Sequence, residues 1–305
     1  MPVSDNAYMS PDASSDGVIP NLYNTTAEKY LYDAEKLRPL CLDMSGMIRG
    51  KPGKSFDTFK GTEFTVGELT EGVDTPVSPL DFNKVQLTVK WYGDAKQITK
   101  ENLAYSFRFV LNDLRYGAAG ALGTNRDAVI MTEMLRTSKD AIYPLVEDTS
   151  PSARYTASTI TSEGQLSYEQ ITVAETEMLV DNRELQWIVI HPRQKYSLMN
   201  DENFIDNNKF PQNVIMNGQI GKISSATIIV SNAVQSTVEN STTVYQAVAL
   251  ARRAIMYAQK VDPVFEFDEE TKRSRALTFH YYEAFGTKIL HTEGIIPLKG
   301  AGRVI

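Results

Sequence analysis

The side chains in this sequence that could do chemistry are few, and each lacks what a reaction would need around it. His191, His280 and His291 are the whole supply of imidazole. No two of them share the i, i+4 spacing that sets two ligands on one helix face for zinc, so structural histidines are the expectation. Cys41 is the only cysteine. It has no histidine nearby in sequence to act as its base, and alone it forms neither an intrachain disulfide nor a thiolate cluster. No Gly-x-Ser-x-Gly elbow occurs. Gly50-Lys51-Pro52-Gly53-Lys54-Ser55 ends like a phosphate loop, but where that loop needs a glycine, with four residues between it and the Gly-Lys-Ser, this chain has Ile48. A basic surface turn is the expectation. Gly117, Gly120 and Gly123 do not fit the dinucleotide fingerprint, and Asp268-Glu269-Glu270 reads as a solvated charge run. Arg252-Arg253 falls on what reads as a helix, where a solvent or subunit contact is expected before a phosphate. No catalytic, cofactor-binding or metal-binding residue is therefore assigned. A chain of this size without a reactive constellation points to an assembly component.

Val85, Leu87, Val89 and Trp91 alternate with polar residues, which predicts a strand with one apolar face. Tyr92-Gly93-Asp94 breaks the alternation and predicts a turn. Leu103, Phe107, Val110, Leu111 and Leu114 then form a helical stripe, with Thr99 as its N-cap. The glycines at 117, 120 and 123 predict that this helix loosens or ends. Thr124 to Asp127 then caps a fresh start carrying Met131, Leu135 and Ile142. Upstream, residues 1–20 read as a flexible arm, and Ala27–Leu40 has helical character ended by Pro39. Phe64 and Val66 alternate in a second extended limb from Lys60 to Leu69, and the acidic, turn-rich Glu71–Pro79 separates it from the Val85 limb. The two limbs read as a long hairpin-like loop, which must lie on a surface of its own chain or of a neighbour.

Downstream of a Ser/Thr-rich connector, Ser167-Tyr168-Glu169-Gln170 is a capping box opening a helix with Ile171, Ala174 and Met178 on one side. Leu185–Ile190 reads as a strand buried on both faces, and Pro192 as the first turn of a helix through Met199. Ile220–Val230 predicts a strand. Val244, Val248, Ala251, Ile255 and Ala258 step by 4, 3, 4 and 3, which predicts an amphipathic helix. Leu277, Phe279 and Tyr281 alternate as a strand, with further extended segments over 285–290 and 294–298.

Across all 305 residues, 42% are hydrophobic and 23% charged, and the net charge is −7. That is an ordinary globular balance without the basic footprint of a dedicated nucleic-acid binder. No signal peptide opens the sequence, no run of about 18 apolar residues is present to span a membrane, and lone-cysteine usage fits a reducing compartment.

These features in their order resemble the major capsid proteins of tailed bacteriophages. The residues that carry the resemblance are Leu69-Thr70-Glu71-Gly72 in the loop, Tyr92-Gly93-Asp94 before the long helix, and Trp187-Ile-Val-Ile-His-Pro192. Ile220-Gly-Lys-Ile223, Thr227–Asn232 and Tyr281–Leu290 follow, so the pattern spans about residues 60–298. The resemblance implies an α+β fold, the phage major capsid fold shared with the floor of herpesvirus capsids. Its expected parts are an N-terminal arm (1–50), an extended β-hairpin loop (51–92), a peripheral domain with a long spine helix (93–150 and 262–305) and a central-sheet axial domain (151–261). The glycines of 117–123 are a departure from the single spine helix of that family. It further implies a non-enzymatic protein, made in the bacterial host cytoplasm and located in the virion. Its partners would be itself, as hexamers and pentamers of an icosahedral shell, with scaffolding, portal and decoration proteins and double-stranded DNA held by non-specific contact, and with no membrane. The arm is too short to serve as a built-in scaffold. An encapsulin-like shell around protein cargo and an oligomeric enzyme with an intersubunit site are the competing expectations.

Overall fold

The computed structural model describes residues 8–9, 35–61, 66, 68, 82–98, 109–144, 160, 164–199, 215–216, 219–220, 222–223, 226–270 and 276–302. In chain order these form β1 (Tyr8–Met9), β2 (Leu42–Asp43), the short helix α1 (Ser45–Ile48), β3 (Ser55–Gly61), β4 (Phe82–Thr88) and β5 (Lys90–Ile98). Helix α2 (Phe109–Met134) follows, then α3 (Tyr168–Val180), β6 (Leu185–Ile190) and α4 (Pro192–Met199). The short strands β7 (Ile215–Met216), β8 (Gln219–Ile220) and β9 (Lys222–Ile223) lead to β10 (Ala226–Val230) and β11 (Ser236–Glu239). The chain closes with β12 (Thr242–Ala251), β13 (Ile255–Glu270), β14 (Ala276–Ile289) and β15 (Ile295–Ala301).

Two sheets organise the molecule. One has the order β11-β12-β6-β10-β9, with β15 along the other edge of β12; the other runs β1-β5-β14-β13-β2. Covering both faces of the first sheet explains its composition. Ile188, Ile190, Ala247, Ala249 and Ala251 pack into one cluster with Ile171, Ala174 and Met178 of α3. The alternate residues Val189, Val248 and Leu250 pack into a second cluster with Ile130, Met131 and Met134 of α2. A strand buried on both sides shows no polar alternation, so its sequence carries no period of two. For that reason the expected helix over 244–258 is absent. The 4, 3, 4, 3 spacing falls across β12 and β13, joined by a tight turn in which Arg253 has φ +60°. The β-branched content of Thr-Thr-Val-Tyr-Gln-Ala-Val favours extended backbone there.

The capping box at Ser167 is present with both of its hydrogen bonds, β6 is buried as expected, and Pro192 opens α4. Over 277–290 the extended segments are one strand, β14. Instead of one strand over 220–230, β9 doubles back antiparallel onto β10. Pro39 sits inside a 3-10 turn, Arg38–Leu40. The other expected helical residues, 27–34, lie outside the described residues.

The spine helix is the second correction. α2 runs unbroken for 26 residues through Gly117, Gly120 and Gly123. Three interior glycines cost a helix about 3 kcal/mol. Burial of Ala118 and Leu122 against Phe279 and Tyr281, and of the helix's second half under the sheet, offsets that cost. Thr124 starts no new helix; its Oγ1 donates back to the Gly120 carbonyl at 3.0 Å. Thr99 and the Leu103–Phe107 part of the stripe lie outside the described residues.

Tyr92-Gly93-Asp94 is the third correction, since it lies within β5 and pairs with Glu283, Tyr282 and Tyr281 of β14. A Cβ on Gly93 would stand 2.6 Å from the Tyr281 carbonyl oxygen, so the glycine permits close strand approach and makes no turn. Trp91 belongs to β5 rather than to β4, and it leaves the apolar face of Leu87 and Val89 for solvent, 65% exposed.

Candidate assembly surface

None of the reactive side chains meets another in a catalytic arrangement among the described residues, where no three His, Cys, Asp or Glu side chains could jointly hold an ion. His191 stacks on Tyr245 with ring centroids 4.1 Å apart, and its Nδ1 accepts from the Arg193 amide. Burial, with Arg193 adding, holds its pKa below the ordinary imidazole value. His291 lies 3.2 Å from the Arg183 guanidinium and is lowered by burial and then by that charge. His280 stands on β14 opposite Glu266. Cys41 is held far above its usual pKa by burial, with Asp127 and Glu35 adding, so it is a poor nucleophile. Gly50–Lys54 is an exposed turn in which Gly50 and Gly53 take left-handed backbone, φ +72° and +97°. Arg252 and Arg253 are exposed in the turn between β12 and β13, not on a helix, and Asp268 is exposed near the end of β13.

What the fold presents instead is a projecting ribbon. β3 and β4 pair antiparallel from Ser55↔Thr88 to Gly61↔Phe82 as a two-stranded sheet of their own. A hairpin is therefore present, but the strand that pairs with β4 is Ser55–Gly61; of the expected first limb, Lys60 to Leu69, all but Lys60, Gly61, Val66 and Glu68 lies outside the described residues. A ribbon of two strands is marginal in water, and its root finds burial on its own chain. Phe56, Val85, Leu87 and Val89 pack with Ile48, Met256, Ala258 and Ala284. The Lys60 ammonium pairs with Glu293 at 2.9 Å, and the Val89 amide donates to the Lys54 carbonyl. Gly286 makes the docking possible, because a Cβ there would lie 2.4 Å from the Thr88 carbonyl oxygen. Farther out, Phe59 and Phe82 pack edge to face at 6.3 Å yet stay 64% and 58% exposed, and Val66 is 97% exposed. Glu71-Gly72 and the rest of 69–81 lie outside the described residues.

A second feature, not foreseen from the sequence, fixes the segment before β2 to α2. Asp127 accepts the amides of Lys36 and Leu37 at 2.9 and 3.1 Å, and Leu37 is fully buried. Next to it, Arg126 donates to Glu35 at 2.6 Å and, through Nε, to Glu283 at 3.0 Å. Glu283 has no exposed surface. Burial raises its pKa against the opposing pull of Arg126, and burial raises Asp127 likewise against the two amides. The only sequence signal was a run of polar residues on the buried side of a helix.

Beside the ribbon's root, an open cleft of about 320 Å³ lies between β4, β5, β14 and the end of α2. Its charged lining is Lys90, Arg136 and Lys288 against Glu133.

No protein-family model matches the chain, and no curated protein matches it in sequence. Its architecture, by contrast, is shared with solved phage structures. A chain of Mycobacterium phage Che8 matches with TM-score 0.68 at 16% identity, over 92% of this chain and 96% of that one. A chain from the capsid of cyanophage P-SCSP1u gives 0.70 at 14%, over 92% of each. One from the capsid asymmetric unit of cyanophage Pam1 gives 0.69 at 13%, over 96% and 98%. The α+β fold built here around a ribbon, a spine helix and two sheets is thus the phage major capsid fold.

Proposed function

We propose that this chain is the major capsid protein of a tailed bacteriophage, whose copies join as hexamers and pentamers into an icosahedral shell around double-stranded DNA. The observation that carries this is the match of nearly the whole chain, end to end, to nearly whole capsid chains at TM-scores near 0.7. The exposed Phe59–Phe82 pair at the outer end of an otherwise docked ribbon supports it. An aromatic pair of that area is buried at low cost only by another surface. The division is a 1–50 arm, a 51–92 extended loop, a peripheral domain of 93–150 with 262–305, and an axial domain of 151–261. Two strands cross that division: β13 pairs with β14 from Ile255 onward, and β15, within 262–305, pairs with β12. Many weak contacts of this kind, repeated in each copy, sum to a shell far firmer than any one pair. The net negative charge disfavours tight capture of the genome, which would need clustered cations. Scaffolding, portal and decoration proteins would complete the particle. Negative-stain micrographs of the purified, concentrated protein test the proposal: closed shells are expected, and nucleic acid rather than protein cargo in shells from phage-infected cells. A monomer that stays monomeric in sedimentation across all concentrations and salts would overturn it.

A further inference from the structure

We infer that the hollow beside the turn from β12 to β13 binds a phosphate group on the guanidinium groups of Arg252 and Arg253, a binding function beyond the shell reading. The hollow has a volume of about 580 Å³ and lies between that turn, the start of β6 and the stretch that runs into β2. Arg252, Arg253, Gln186 and Trp187 line it, with Leu40 and Asp43. Both arginines are exposed, and neither pairs with a carboxylate among the described residues. In a chain with 38 acids to 31 bases, two adjacent cations are thus left for an anion from outside. Asp43 is the one carboxylate of the hollow. Its Oδ1 accepts from the amide and the hydroxyl of Ser45. Against burial, those two bonds and then Arg38 and Arg49 lower its pKa. Its charge is answered from outside the turn.

The turn is built in a way that a plain connection would avoid. Arg253 has φ +60°, a left-handed backbone that glycine or asparagine adopts more readily than a long side chain. The exit of the turn is pinned, since the Ala254 carbonyl accepts the amides of Leu290 and His291. Gln186 adds a polar group in want of a partner: its Oε1 is enclosed and accepts no hydrogen bond. It can accept from a protonated phosphate oxygen, and the amide turned over donates to an ionised one. Leu40 is buried and Trp187 half-buried, so part of the wall is apolar and screens a charge pair less than open water does. Two forks favour phosphate over carboxylate. A carboxylate fills one guanidinium fork with its two oxygens, whereas a phosphate monoester or free ion has three oxygens and nearly two charges. Two sources offer this chemistry: a free phosphate, and a nucleic-acid backbone whose neighbouring phosphates take one fork each.

A reporter is already in place, because Trp91 and Trp187 are the only tryptophans and Trp91 is 65% exposed on β5. In full-length Trp91→Phe protein, Trp187 alone emits, and inorganic phosphate titrated at constant ionic strength is expected to shift its emission to saturation. Adding Arg252→Gln and Arg253→Asn is expected to raise the half-saturating phosphate concentration roughly tenfold or more. Asparagine suits left-handed backbone, so thermal melting should be unchanged or higher. A short thymidine oligonucleotide is the second probe. If it binds more tightly than phosphate, and its log–log salt slope falls by about 1 in the double variant, the source is a nucleic-acid backbone. If phosphate binds more tightly, the source is a free phosphate, and the site stands either way. Silence of Trp187 toward both probes, or equal binding by the folded variant and its parent, would overturn the inference. Glutarate binding as tightly as phosphate would overturn it too, since the hollow would then suit a carboxylate partner. Should the double variant fail to fold, Arg252→Gln alone, outside the strained position, gives the same readout. None of these outcomes depends on shell formation, so either reading can fail without the other.

Discussion

Replacing Arg126 with methionine removes the one guanidinium that Glu35 and Glu283 share. Glu35 is partly exposed and can turn toward water, so the cost falls on Glu283, which is fully enclosed. Removing one partner of a buried ion pair costs about 3–5 kcal/mol. Here the cost has a ceiling, because Glu283 can escape by taking a proton. Against an ordinary carboxyl value near 4.3, holding that proton at pH 7.5 costs about 4 kcal/mol, and at pH 5 about 1 kcal/mol. The sign is fixed by linkage. Burial already raises the folded-state pKa of Glu283, and losing Arg126 raises it further. Such a carboxyl favours the fold most below its unfolded pKa, and that favour is lost as pH rises through the folded value. The Arg126→Met variant is therefore expected to lose about 3–4 kcal/mol at pH 7.5 and only about 1 kcal/mol at pH 5. The double variant Arg126→Met/Glu283→Leu, which buries no charge, should lie within about 1 kcal/mol of wild type at both. Urea unfolding of the unassembled subunit at the two pH values measures all four quantities. Equal losses for Arg126→Met at both values, or a loss below about 1 kcal/mol at pH 7.5, would refute the assignment of Glu283 as the charge that Arg126 neutralises.

Three other substitutions follow from the packing. Gly286→Ala would press a methyl against the Thr88 carbonyl and should cost about 1–3 kcal/mol, with the ribbon's root cleaved faster in limited proteolysis. Asp127→Ala leaves the Lys36 and Leu37 amides without their acceptor; a loss of about 2 kcal/mol should speed alkylation of Cys41 roughly thirtyfold as that segment opens, read by mass spectrometry. Ser167→Ala removes the cap of α3 and should lower stability by about 1 kcal/mol in the same urea assay.

Legibility in the sequence followed burial. Elements with one wet face or a local cap were readable: Ser167 to Gln170, Pro192, the limb carrying Leu87 and Val89, and the alternation over 277–282. β12 was not, because neighbours on both faces erase the polar half of its pattern, and the residual spacing imitated a helix. Gly93 and the α2 glycines misled for a related reason. Local rules read glycine as a break, but here it answers a close approach between strands or is tolerated by a helix held from outside. The Arg126–Glu283–Glu35 node and the cleft join residues far apart in sequence, and nothing in a single chain of letters marks which distant carboxylate meets which cation.

The passage between the two sheets has a mechanical meaning. β12 hands over to β13 through Arg252 and Arg253, and β14 returns to β15 through His291 to Gly294. These crossings touch: the amides of Leu290 and His291 both donate to the Ala254 carbonyl, and a Cβ on Gly294 would meet those of Ala254 and Ala251 at 3.0 and 3.2 Å. Two lengths of backbone thus run side by side through one waist. A load that pulls the two sheets apart at this place is borne by those two lengths of covalent chain, as the link from β5 through α2 to β6 bears it elsewhere, so tension passes through the subunit along backbone as well as through an apolar interface.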